Sequence, residues 1–136
     1  MNLRPFDTLP PLSKNDALKI LKTPLNELRL ASDYYKAVFH LAKHPSIETE
    51  KALISLVKPQ SNQQSILIAK RKAIEVLAKF GCANAIPLIG NCLHSSDPYL
   101  VENSALALAE IGCNETKIHK NSFRKFDKHS IYFSYY

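Results

Sequence analysis

Tyr35, Arg71 and Glu102 occupy equivalent places in three stretches of this chain that repeat one another. The stretches are Asp33–Pro45 (DYYKAVFHLAKHP), Arg71–Gly81 (RKAIEVLAKFG) and Glu102–Gly112 (ENSALALAEIG). The next position in each holds Lys36, Lys72 and Asn103, and one turn further on come Phe39, Glu75 and Leu106. Repetition therefore stacks cations, carboxylates and aromatic rings into one column. Arg71 and Glu75 point roughly opposite the apolar stripe of their own helix, so the column lies on an outer face. Two readings fit it. In one, Arg71 and Glu102 form an inter-repeat ion pair, worth little when exposed, and Phe39 and Leu106 pack on a neighbouring helix pair. In the other, the face is a groove for a flat, apolar, anionic ligand or for a partner helix.

No other chemistry is written in the chain. It has no glycine-rich phosphate loop, nucleophile elbow, HExxH or paired catalytic carboxylates, so no catalytic residue is assigned. Cys82, Cys92 and Cys113 are odd in number and lack CxxC spacing. Cys92 falls at an apolar position and reads as a small core residue. Cys82 and Cys113 each follow a repeat-ending glycine and read as equivalent turn positions. The five histidines are scattered, and no metal-ligand set is expected.

The elements that must position the column follow from periodicity and punctuation. A shift of about 36 residues carries Leu41 onto Leu77, and about 31 carries Leu77 onto Leu108, the period of a helix-pair solenoid. Apolar segments Ile47–Val57 and Ala85–Leu93 follow the first two copies. Ser13 reads as the cap of a helix to Lys22, with Asp16 where a capping-box acid sits. Thr23-Pro24 restarts the chain, Ser32-Asp33 caps the first repeated helix, and Pro45 ends it. Ser46 opens the next helix and Pro59 closes it. Gln60–Ser65 reads as a loop. Ile66, Ala69, Ala73, Val76, Leu77 and Phe80 then share one helical face, and Asn84 is expected to cap the next helix. Asp97-Pro98 opens the third repeated helix, predicted to end at Gly112 because glycine tolerates positive φ. The fold class is all-α, an α-α superhelix of HEAT-like repeats in a short solenoid. Residues 1–31 are a lead-in with short helices, 32–113 the repeats and 114–136 a divergent basic and aromatic tail.

With 136 residues, 46% hydrophobic and 22% charged, the composition is that of an ordinary globular domain. No apolar run approaches the roughly 20 residues needed to cross a bilayer, and Met1–Leu12 lacks a signal-peptide hydrophobic region. The expected compartment is cytoplasmic. The net charge of +6 is concentrated at Lys117, Lys120, Arg124, Lys125 and Lys128, so the repeats are nearly balanced. A nucleic-acid binder would carry a basic stripe on its folded face, and none is expected here.

Between residues 6 and 112 a set of segments stands in a recognisable order. They are FDTLPPL (Phe6–Leu12), LKTP (Leu21–Pro24), SDYYKA (Ser32–Ala37), KALI (Lys51–Ile54), RKAIEVL (Arg71–Leu77), AIPLI (Ala85–Ile89), NCL (Asn91–Leu93), DPYLVEN (Asp97–Asn103) and AEIG (Ala109–Gly112). In these the chain resembles the E/F-type phycobilin lyases, in particular members acting on the phycoerythrin α subunit. Family members are much longer, the match stops after Gly112, and Lys70 and Ala78 stand where arginine and glycine are more usual. A truncated member is the expectation.

The resemblance implies a protein that holds an open-chain tetrapyrrole, of phycoerythrobilin type, as substrate and needs no resident cofactor. It would present the bilin to a cysteine of an apo-phycobiliprotein, the phycoerythrin α subunit, with a second lyase subunit as a further partner. Propionates then call for cations, pyrrole nitrogens for a carboxylate, and the rings for apolar cover. Tyr35, Phe39, Arg71, Lys72, Glu102 and Asn103 supply those types. The alternative is a non-catalytic HEAT-repeat scaffold that binds a protein of the phycobilisome system.

Overall fold

The computed structural model describes residues 12–122, with side chains described for 12–112. Within them the chain forms α1 (Lys14–Lys22), α2 (Asp33–Leu41), α3 (Ile47–Val57), α4 (Gln64–Phe80), α5 (Ile86–Asn91) and α6 (Pro98–Ser122). Short 3₁₀ turns lie at Leu25–Glu27, Ala83–Ala85 and Cys92–His94, and there is no strand among the described residues.

The helices make two layers. The repeated helices α2, α4 and α6 stack side by side, α2 on α4 and α4 on α6. Behind them α1 packs on α2 and α3, α3 on α4, and α5 on α6. This is the α-α superhelix that the repeat period predicts. Across the two layers each repeated helix packs on the helix before it, whereas the sequence pairs it with the apolar segment that follows. The core runs along the seam between layers through Val38, Leu41, Leu53, Ile74, Leu77, Ile89 and Ile111.

Local chemistry explains several boundaries. Ser13 Oγ accepts the Asp16 N–H at 3.1 Å, and Ser46 Oγ accepts the Thr49 N–H at 3.1 Å, so both expected serine caps form. The Thr49 hydroxyl donates back to the His44 carbonyl at 2.7 Å, fixing the angle at which α3 leaves α2. Gly81 adopts φ +68°. There the Cys82 N–H bonds the Leu77 carbonyl and the Gly81 N–H the Ala78 carbonyl, a Schellman end.

Several expectations are corrected. Ser32 makes no capping bond; the Asp33 carboxylate instead accepts the Leu30 N–H at 3.2 Å. Asn84 lies inside a 3₁₀ turn, and α5 starts from Ala85 without a side-chain cap. Phe80 is only half-buried at the rim of the stripe. Gly112 does not end α6, which continues to Ser122, so Cys113 lies in a helix and is no counterpart of the turn residue Cys82. Glycine permits the left-handed turn without compelling it. At Gly81 the buried Cys82 side chain secures that turn, whereas the backbone at Gly112 stays helical. The proline-punctuated start and the aromatic cluster Phe123–Tyr136 lie outside the described residues.

Candidate functional site

The α2/α4/α6 layer presents the column, but its contacts differ from those that repeat equivalence suggests. Arg71, half-buried on α4, reaches across to the start of α6. Its Nε lies 3.6 Å from Asp97 Oδ2 and donates to the Leu67 carbonyl at 3.4 Å. Its guanidinium stands 5.1 Å from the centre of the Tyr99 ring, within cation–π range. Asp97 is fixed in turn, because its Oδ1 accepts the Tyr99 N–H at 3.2 Å at the N-terminus of α6, where a carboxylate is favoured. The inter-repeat ion pair of Arg71 is therefore with Asp97, and Glu102 stands exposed on α6. A cap residue held by its own helix is a better partner than a flexible glutamate one turn on.

The second centre is Phe39. Lys43 and Lys72 place their ammonium groups 5.9 and 5.8 Å from its ring centre, and the His40 ring meets it edge-on at 5.5 Å. Lys72 also bonds Glu75 at 3.2 Å, and Lys79 reaches the other oxygen of Glu75 at 3.2 Å. Burial pushes the Glu75 carboxyl up, but hydrogen bonds and charge from Lys79 and Lys72 outweigh it and leave it below its ordinary value. The structure thus brings Phe39, Lys72 and Glu75 together across α2 and α4, and Arg71, Asp97 and Tyr99 across α4 and α6. Tyr35 and Asn103 are half-buried in the same layer.

Three residues were missed in the sequence. In the sequence Asp97 opens a helix and Tyr99 belongs to a family segment, although DPY places an acid and a ring one step outside the repeat. Lys70 stands out in the sequence only as a departure from the family pattern. It sits on the buried stripe of α4, four residues after Ile66 and three before Ala73, and is 3% exposed. A cation inside an apolar stripe was the available signal. Its Nζ donates to the Pro59 carbonyl, and burial pushes its amine below the ordinary lysine value. Cys92 lies beside it, its thiol pushed up by burial against the pull of Lys70. Among the described residues no group of His, Cys, Asp and Glu is placed to hold a metal ion, and no helix is long and apolar enough to cross a membrane.

Comparison with known proteins agrees with this architecture. Residues 69–95, from the middle of α4 to the turn after α5, match the PBS lyase HEAT-like repeat. The Bilin biosynthesis protein CpeY of Synechococcus sp. (strain WH8020) is 52% identical over 85 residues, which is 62% of this chain and 20% of that protein. The Uncharacterized phycocyanin operon protein Y of Pseudanabaena tenuis (strain PCC 7409) is 31% identical over 107 residues, 79% of this chain and 26% of the relative. The chain spans between a fifth and about a quarter of the length of these curated relatives. No solved structure matches it. The resemblance to the E/F-type phycobilin lyases holds: the chain carries the PBS lyase HEAT-like repeat and is similar in sequence to a bilin biosynthesis protein.

Proposed function

We propose that this chain is a phycobilin lyase, or a piece of one, assisting covalent attachment of a bilin to a cysteine of a phycobiliprotein. The observation that carries the reading is the 52% identity to a bilin biosynthesis protein over 62% of the chain. The reaction asks little of the chain's own nucleophiles. The acceptor thiol adds across an exocyclic double bond of ring A, a C–S bond forms as the π bond is lost, and the thiol proton ends on the neighbouring carbon. No oxidant is needed. The work left to this chain is to hold the bilin and orient it.

The α2/α4/α6 layer is the face proposed for that work, with a phycoerythrobilin-type bilin as substrate and the phycoerythrin α subunit as acceptor. Arg71 and Lys72 would pair with propionates, where charge-assisted hydrogen bonds are strongest. Glu102 would face protonated pyrrole nitrogens, Tyr35 and Phe39 would cover a ring, and Asn103 would donate or accept beside them. The Phe39–Lys72 contact supports this pairing, because it sets a ring face and a cation side by side. A second lyase subunit and a cytoplasmic setting complete the proposal.

Co-expression with apo-phycoerythrin α subunit and a bilin source tests it. The expected result is a chromophore that stays on the α subunit after denaturation and requires this chain. Attachment at the same level without the chain would refute the reading. The exposed Tyr99 and Leu106 on α6, 61% and 63% accessible, favour a second reading, a scaffold for a protein partner. Capture of the α subunit with no change in bilin absorbance on titration would select it.

A further inference from the structure

Lys70 is a buried cation that the column does not use. Among the described residues its one hydrogen bond is to the Pro59 carbonyl, and the ion pairs found there, Lys14–Glu48, Arg71–Asp97, Lys72–Glu75 and Lys79–Glu75, leave it out. An ammonium group carries three donors, so two remain to be satisfied. Buried charges are ordinarily paired, and an unpaired one carries an uncompensated desolvation cost. Pro59, whose carbonyl takes one of those donors, is an exposed residue of the α3–α4 connection.

A cleft of about 500 Å³ opens over Lys70, on the edge of the molecule where the α3–α4 and α5–α6 connections lie side by side. None of its lining residues is an aspartate or glutamate. Lys58 adds to the positive side, while Asn62, Ser95 and Ser96 offer neutral donors. Val57, Leu67, Leu88 and Leu100 supply apolar wall. A second hollow of about 270 Å³ reaches Lys70 from the other side of the Pro59–Ser61 loop. We propose that this cleft binds an apolar molecule bearing a carboxylate, with Lys70 as its anion partner and the leucine wall as its hydrocarbon seat. The inference does not depend on the bilin reading, because it concerns a different edge of the fold and a simpler ligand chemistry. Burial holds the Lys70 amine below its ordinary value, and a bound carboxylate acts in the opposite direction.

Octanoate is the probe, with octanol as its uncharged counterpart. Octanoate is expected to shift the backbone amide resonances of Ser61, Asn62, Ser95 and Ser96 in a saturable titration, and octanol to do so at least tenfold more weakly. Lys70→Met should fold with a melting temperature equal to or above the parent's and lose about tenfold or more in octanoate affinity. Lys70→Arg should keep the affinity within a few-fold. Equal octanoate affinity of parent and Lys70→Met would overturn the proposal, as would octanol matching octanoate on the parent chain. If Lys70→Met does not fold, the octanoate–octanol comparison on the parent decides alone. A folded Lys70→Met of lower melting temperature, with no octanoate binding to the parent, would show that Lys70 only pins the loop.

Discussion

The Arg71 guanidinium adds an ion pair to the apolar packing between the second and third repeats. Arg71 is half-buried and faces an Asp97 Oδ2 that is buried and makes no hydrogen bond within 3.5 Å. Removing it leaves that oxygen without a cation, so Arg71→Ala is expected to cost about 1–3 kcal/mol in chemical denaturation, more than an exposed pair would. Under the lyase proposal the same variant weakens bilin binding about tenfold. Arg71→Lys separates the roles: it should regain part of the stability through its charge while losing the flat contact with Tyr99. Bilin titrations unchanged in both Arg71→Ala and Glu102→Ala would end the case for the column as a bilin face. His40 carries a pH dependence of its own. It is 2% exposed with both ring nitrogens lacking hydrogen bonds. Burial first, then the charges of Lys43, Lys36 and His44, push its protonation below the ordinary histidine value. The unfolded chain therefore binds the proton more readily than the folded one. Stability from this group is complete above about pH 6.5 and is lost as pH falls from there through the folded value. The melting temperature should drop between pH 7.5 and pH 5, and His40→Leu should flatten that drop.

The elements show what was legible and why. The stripe of α4 was readable because Ala69, Ala73, Val76 and Leu77 repeat at helical spacing and all four are buried. Leu77→Ala is expected to cost about 2–5 kcal/mol in urea unfolding, from lost transfer energy and a cavity. Caps were readable where a serine faces a free N–H two or three residues on, as Ser46 does. Ser46→Ala should lower stability by about 0.5–2 kcal/mol. Asn84 failed by the same rule, because a 3₁₀ turn uses the residues it was meant to cap. Gly81 and Gly112 look alike in sequence and differ in the structure. Space does not distinguish a substitution at Gly81, since a Cβ there meets nothing within 4 Å. The cost of Gly81→Ala is conformational, about 1–2 kcal/mol, and Gly81→Asn should cost less because asparagine tolerates left-handed backbone. The column was half legible. Its residues share a layer as the repeats require, but the acid that captures Arg71 was decided by which carboxylate is held in place.

At the scale of the whole molecule, α4 is the shared element, touching α2 and α6 within its layer and α3 behind it. Amide hydrogen exchange should be slowest in α4, which packs on three helices, and faster in α1, which packs on two. Far-UV circular dichroism should show helix alone from the described region, and a substantial β contribution would contradict the architecture. The pairing of each repeated helix with the one before it has a kinetic consequence. Every hairpin, α1 with α2, α3 with α4, α5 with α6, is closed by segments adjacent in the chain, so low contact order favours rapid folding. A repeated helix emerging from the ribosome finds the first member of its hairpin already made. The order of synthesis is then also the order of assembly, and a pause once Gly81 has emerged would leave a two-hairpin intermediate with the α6-facing side of α4 exposed to solvent.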